Sequence, residues 1–451
     1  MYGLYLNVQQ FGARGNGTTN NTASIQRAID KVSELGGGTV LFPAGTYRTG
    51  AVTLKSNVTL FLESGAVLLG SRSLADYPVI LSRWEGKTRE TFAPLIGGDA
   101  LENVSIVGRG TIDGQGEVFW QAFKNQELEY PRPRCISFLN CRNVYIEGIT
   151  VCNSPSWTIH PIFCEGVVIR GVTILNPPDS PNTDGINPDS CRVVRISDCH
   201  ISVGDDCITL KAGIEEESEE LWKSCEDITI TNCVMEKGHG GIVLGSETSG
   251  RIRNVVVSNC IFRGTDRGIR LKTRRGRGGG IDTIRVSNCI MEEVLSPLTI
   301  NMFYGCGAWG NPVVSTKEAL PVTPYTPSIR SIHIAGITAR KVKLAAAFLY
   351  GLPENPIREV SLRDWSVEMD SEHDTAGEVE MAEGFPRLLG SGLFAKHVRD
   401  LYVSGFQITR VKEDPFYLED IEGGELTYIR AHPIPIGKSL VQCVNVHEVC
   451  L

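Results

Sequence analysis

The sequence predicts an all-β fold, a single-stranded parallel β-helix of about ten coils, in which each winding buries its inner face only against the next. Three observations predict it. A pattern of apolar, any, any, apolar, any, apolar recurs as Ile146-Glu147-Gly148-Ile149-Thr150-Val151, Ile169-Arg170-Gly171-Val172-Thr173-Ile174 and Ile196-Ser197-Asp198-Cys199-His200-Ile201. Its leading residues Ile146, Ile169, Ile196, Ile230, Val257 and Val286 lie 23, 27, 34, 27 and 29 positions apart, a period of stacked coils, propeller blades or arrays. Each copy holds short strands rich in Val, Ile and Thr, broken by Gly, Asn and Asp with no helical pattern between them, which favours the β-helix.

Weaker copies extend the pattern through Val58-Thr59-Leu60, Val104-Ser105-Ile106, Ile332-His333-Ile334, Val360-Ser361-Leu362 and Leu401-Tyr402-Val403. The expected organisation is one domain over 1–451, with a capping helix at about 22–35, coils over about 40–410 and a C-terminal extension over about 411–451. The helix is expected because Ile25, Ala28, Ile29 and Val32 follow helical spacing after Thr22, and a solenoid needs its open end covered. Segments 113–134 and 212–224 depart from the coil pattern and are expected to form loops over a cleft.

With 41% hydrophobic and 21% charged residues the composition is that of a soluble globular chain, and no stretch approaches the length of a membrane span. No basic stretch followed by an apolar core opens the sequence, so the expected compartment is cytoplasmic, or secreted or periplasmic if a leader precedes it. Cys199, Cys233, Cys260 and Cys289 share one repeat position, which predicts a ladder of buried free thiols; with no C-x-x-C pair, zinc is not expected. Cys443 and Cys450 are the weak candidates for a disulfide.

Four runs stand a few residues downstream of successive strands: Asn182-Thr183-Asp184-Gly185, Gly204-Asp205-Asp206, Gly238-His239-Gly240 and Arg270-Leu271-Lys272. Asp184-Gly185-Ile186 aligns with Asp206-Cys207-Ile208 if the Pro177, Pro178 and Pro181 turn holds about five extra residues. Asp184 and Asp206 then stack at roughly the 4.8 Å strand spacing. Asp205 and His239 each precede a strand residue, Ile208 and Ile242, by three positions, and Arg270 and Lys272 flank the inward Leu271. A lone Asp in a Gly-rich turn usually bonds its own backbone. Three in register beside His, Arg and Lys instead suggest acid–base chemistry, because crowded carboxylates raise one another's proton affinity and divide the roles of acid and base.

These four runs, in order and spacing, resemble the signatures of glycoside hydrolase family 28, the polygalacturonases and their relatives, from Phe11-Gly12-Ala13 to about Tyr304. The resemblance implies a right-handed β-helix and single-displacement hydrolysis with inversion of an α-1,4-galacturonosyl linkage, with no metal or other cofactor. It implies Asp205 as general acid, Asp184 and Asp206 as holders of the water, and His239 as the group that tunes Asp205. Arg270 and Lys272 would bind a substrate carboxylate, and Asn182 and Tyr304 would line the sugar site. An inverting pair is expected to stand roughly 6.5 to 9.5 Å apart.

Trp157 and His160 align with Asp184 and Asn187 one coil earlier and are further candidates for the cleft floor, or for plain packing. The net charge of −8 would repel a polyanion, and Arg263, Arg267, Arg270, Lys272, Arg274, Arg275 and Arg277 supply local positive charge. That run is read as a solvated loop or as extra sites for substrate carboxylates, ahead of nucleic-acid binding. The expected partner is an acidic pectic oligosaccharide or polysaccharide, with no nucleic acid and no membrane, and end-trimming is favoured over internal cleavage. Alternatives are a rhamnogalacturonan or xylogalacturonan hydrolase, a calcium-dependent pectate lyase and a non-catalytic glycan-binding β-helix.

Overall fold

A computed structural model describes residues 4–451, which divide into two compact units, one of residues 4–209 with 225–229 and the other of 210–224 with 230–451. In the first unit, columns of identical chemistry run from winding to winding. Val40, Leu60, Ile106, Ile146, Ile169 and Ile196 are successive partners in one parallel sheet, all buried. Tyr47, Leu68, Ile112, Val151, Ile174 and Ile201 form a second column. A third runs through Val52, Ile96, Ile136, Ile159, Ile186 and Ile208. Alternation along each strand sends one set of side chains inward and the other outward, so a β-branched residue at the repeat position lands on its counterpart above and below.

The amphipathic segment forms helix α1, Thr22–Glu34, with Ile25, Ala28, Ile29 and Val32 fully buried. Two further insertions in this unit bear on the site. An antiparallel hairpin pairs Val79–Trp84 with Lys87–Phe92, and helix α2, Glu117–Lys124, lies within the segment expected to be loop. The hairpin has no counterpart in the repeat and is absent from the sequence expectation.

The second unit repeats the logic, with Leu244, Leu271, Ile300, Leu349, Ala395 and Leu418 in one column and Val257, Val286, Ile334, Leu362, Val403 and Leu426 in another. Parallel pairing continues past residue 410 through Phe416–Thr427 and Val441–Cys450, where coils were expected to stop. The last strand escapes a pattern search because most of its residues are exposed. Trp365 and Phe406 stack in this interior at 4.9 Å, whereas Phe348, Phe394 and Tyr417, which alternate with the first column, stack on the other face at 5.0 and 5.1 Å.

Cys199, Cys233, Cys260 and Cys289 are free and buried, each thiol facing the carbonyl two residues earlier. Burial pushes the Cys289 thiol up to about 12. Cys141, Cys164, Cys191 and Cys225 are further buried free thiols. Cys443 and Cys450 are both free and exposed, and they sit opposite different residues of the preceding strand, Leu418 and Glu425. No helix among the described residues is long and apolar enough to cross a membrane.

Candidate active site

The acidic cluster arises from one irregular turn. Leu175 pairs with Ser202, and the next sheet resumes with Ile186 opposite Ile208. Nine positions therefore separate Leu175 from Asp184 and four separate Ser202 from Asp206, and the five-residue excess is taken up in the Pro177–Pro181 turn. Buried polar side chains hold that turn: Asn176 Nδ2 donates to Thr158 Oγ1 at 2.8 Å and to the Thr183 carbonyl at 3.2 Å, and the Gly204 amide donates to Thr183 Oγ1 at 3.3 Å. Asn182 takes a left-handed backbone, φ 52°, which its short amide side chain tolerates. Gly185 is required by contact, since a Cβ there would meet the Cys207 carbonyl oxygen at 2.4 Å.

Register then brings the carboxylates together, with the Gly185 amide bonded to the Asp206 carbonyl at 3.0 Å. One oxygen from each of Asp184, Asp205 and Asp206 lies within 4.8 Å of the others, the one such His/Cys/Asp/Glu group among the described residues. Register explains the grouping: adjacent windings are themselves about 4.8 Å apart, and Asp205 and Asp206 are neighbours in sequence. Asp184 and Asp206 are nearly covered, at 3% and 2% exposure, whereas Asp205 reaches solvent. Asn187 Nδ2 and Thr209 Oγ1 both donate to Asp184 Oδ2, at 2.8 and 3.3 Å, and the Asp206 amide donates to Asp205 Oδ1 at 2.9 Å. A clustered carboxylate set of this kind can order a water between ionised oxygens while one member keeps a proton, or it can hold a hard cation.

Arg132, in segment 113–134, donates to Asn182 Oδ1 at 2.6 Å and to the carbonyls of Pro181 and Pro155 at 2.7 and 3.0 Å. Burial pulls its guanidinium down to about 10, against the opposing pull of the charges on Glu85, Asp184 and Asp205.

Trp157 and His160 do align with Asp184 and Asn187, as the Ile159 to Ile186 pairing requires, but they are interior groups and not an exposed floor. Trp157 stacks on Trp84 of the hairpin at 4.9 Å, and His160 meets the Trp157 ring edge-on with Nε2 3.5 Å from Asp189 Oδ2. Arg83, also from the hairpin, reaches Asp189 at 3.4 Å and Ser190 Oγ at 3.1 Å. The inserted hairpin thus covers a face of Trp157.

In the second unit, His239 is half-exposed and places Nδ1 2.9 Å from Asp266 Oδ2, so a carboxylate there fixes the proton on Nδ1. Asp266 stands one coil period beyond His239, like Ile269 beyond its register partner Ile242, so the repeat alone could have nominated it.

The cations are not presented as free receptors. Arg270 is 2% exposed and grips Glu380 with Nε and Nη2, each at 2.9 Å. Thr299 Oγ1 adds 2.7 Å to the same carboxylate. Burial opposes the charge on Glu380, but Arg270 and Arg267 outweigh it and hold the carboxyl at about 2. Lys272 is buried with its ammonium 5.1 Å from the Tyr304 ring centre, and Arg270 lies 5.6 Å from the same ring.

The basic run is likewise neither a solvated loop nor a spare anion site. Arg274 and Arg277 both bind Glu215, Arg275 binds Glu354 at 2.6 Å together with three carbonyls, and Arg267 donates to the Val379 carbonyl at 2.8 Å. Arg263 alone of the set is half-exposed, bridged to Glu236 at 3.0 Å. Glu354 and Glu380 sit in irregular segments further along the chain, and Glu215 comes from segment 212–224 upstream; no sequence signal marks these carboxylates as the partners.

Comparison with known proteins matches residues 38–349 to glycosyl hydrolases family 28. A "Probable polygalacturonase" of Vitis vinifera is 36% identical over 80% of this chain and 73% of its own. The crystal structure of a hyperthermoactive exopolygalacturonase from Thermotoga maritima superposes with a TM-score of 0.74 at 28% identity, covering 89% of this chain and 92% of that one. An endo-polygalacturonase of Pectobacterium carotovorum is 30% identical over 63% of this chain and 72% of its own.

Proposed function

The chain belongs to glycosyl hydrolases family 28, with the right-handed parallel β-helix of that family, and from this premise we propose that it hydrolyses α-1,4-galacturonosyl linkages of pectic oligosaccharides from the chain end. The observation that carries the reading is the cluster of three carboxylates within 4.8 Å, assembled by coil register. Asp205, the member that reaches solvent, gives its proton to the glycosidic oxygen as the bond to C1 breaks. A water held between Asp184 and Asp206 attacks C1 and passes its proton to one of them. Covering these two by the protein suits them to hold one water apart from bulk solvent.

His239, oriented through Asp266, tunes the acid. Recognition of the substrate carboxylate falls chiefly to Lys272, with Tyr304 as the sugar platform; Arg270, its fork already engaged by Glu380, supports that ring. Asn182 contributes to the substrate face of the turn. The hairpin 79–92 and segment 113–134 support end-trimming, because Trp84 stacks on the winding just before Asp184 and Arg132 holds Asn182.

One experiment tests this reading. Tri- and polygalacturonate are incubated with the protein in EDTA, with products followed by chromatography and by proton NMR in the first minutes. Monomer from the outset and a β-configured new end support end-trimming with inversion. Mixed oligomers give internal cleavage, an α-configured end gives retention, and hydrolysis abolished by EDTA transfers the cluster to a cation. Absence of products from both substrates overturns the galacturonan assignment.

A further inference from the structure

The geometry points to Arg132 as the positioning residue that sets how the single proton is shared within the carboxylate cluster, acting through its fixed charge and its bond to Asn182. This inference rests on the hydrolytic reading of Asp184, Asp205 and Asp206. Arg132 is 1% exposed, so it is screened from a substrate and acts through neighbours. Its guanidinium is fixed from four sides. Nη1 donates to Pro155 and Pro181 carbonyls, Nη2 donates to Asn182 Oδ1, and the plane lies over the Phe123 ring of α2, 4.0 Å from its centre. Asn182 is two residues before Asp184, so any slackening of the fork moves the turn that delivers the carboxylate.

Charge supplies the second half of the argument. Three carboxylates confined within 4.8 Å repel, and a fixed cation nearby stabilises the ionised members. The charged groups that face Arg132 are Asp184 and Asp205 from the coil and Glu85 from the hairpin tip, while α2 offers it an aromatic face and the two proline turns offer carbonyls. Glu85 thus works against Arg132 from the exposed side and trims its effect on the cluster.

Removing the cation raises the proton affinity of the nearby carboxylates, so both limbs of the kcat/KM pH profile move to higher pH. Trigalacturonate hydrolysis is measured from pH 3 to 8 for the wild type, Arg132→Gln, Arg132→Lys and Glu85→Gln. Arg132→Gln is expected to lose activity and shift both limbs upward by about 1 unit. Arg132→Lys is expected to lose kcat, having no fork for Asn182, with its limbs in place. Glu85→Gln is expected to move the limbs the other way, by less; it alters an exposed tip and so serves if Arg132→Gln does not fold.

Limbs that stay at their wild-type positions in Arg132→Gln, or in Glu85→Gln where that variant stands in, overturn the proposal, whatever happens to kcat. Equal limb shifts in Arg132→Lys and Arg132→Gln also overturn it. Carbon-13 titration of the Asp184 and Asp205 carboxyls in the same proteins reads the same comparison without turnover. A wild type inactive on trigalacturonate therefore strikes the hydrolytic reading alone.

Discussion

Two groups of charges, one acidic and one basic, are treated in opposite ways by this chain. Asp184, Asp205 and Asp206 are crowded together, with Asn187, Thr209 and a backbone amide among their donors and Arg132 as an offset cation. Arg270, Arg274, Arg275 and Arg277 are each matched to a carboxylate: Glu380, Glu215, Glu354 and again Glu215. The first arrangement stores like-charge repulsion, which gives neighbouring acids different proton affinities. The second offsets the charge of buried guanidinium groups with a paired carboxylate, which lowers the net cost of their desolvation. Apparent excess of charge in a sequence is therefore a poor guide to which charges a ligand meets.

Substitutions separate the two regimes. Asp205→Asn should have the largest effect on function, lowering kcat about 10²- to 10⁴-fold with an unchanged melting temperature, as loss of a general acid predicts. A fall in activity accompanied by unfolding would place Asp205 among the structural charges. Glu380→Gln should do the reverse. It leaves Arg270 buried without its partner, at a cost of about 3–5 kcal/mol read by denaturant unfolding, far more than a surface pair.

The pH dependence of that contribution has a definite sign. The Glu380 carboxyl is held at about 2, below its unfolded value, so its stabilisation is present above about pH 4.3 and is lost as pH falls toward 2. Thermal melts across this window should show a decline for the wild type that is smaller in Glu380→Gln.

Lys272→Ala should raise KM for acidic oligosaccharides about 10- to 100-fold with a smaller change in kcat, in keeping with one charge-assisted contact. An unchanged KM would assign Lys272, like its arginine neighbours, to internal pairing. The smallest effect is expected from Arg263→Ala, less than about 1 kcal/mol by chemical denaturation, because its pair with Glu236 is exposed to water. If Arg263→Ala matched Glu380→Gln in cost, burial would not be what distinguishes the two classes of arginine.

Helical spacing carries the helix Thr22–Glu34, and the repeat pattern carries the windings, the thiol ladder and the vertical alignment of Asp184 with Asp206. These are legible because a solenoid converts sequence period directly into spatial neighbourhood: a residue one coil away is a contact, so spacing is geometry. The five-residue excess before Asp184 could be counted for the same reason. Even Asp266, which was not singled out, obeys this rule relative to His239.

Tertiary structure alone decided everything that leaves the repeat. The hairpin 79–92 covers Trp157 from outside the coil, segment 113–134 folds back to place Arg132 against Asn182, and Glu380 arrives 110 positions after Arg270 to take its guanidinium. Such insertions have no register to inherit. Their partners are chosen by burial and charge neutralisation in three dimensions, where a guanidinium finds whichever carboxylate the loop delivers. The sequence by itself thus determined which carboxylates stack, through periodicity; the folded chain determined which cations were left to act on them, through desolvation.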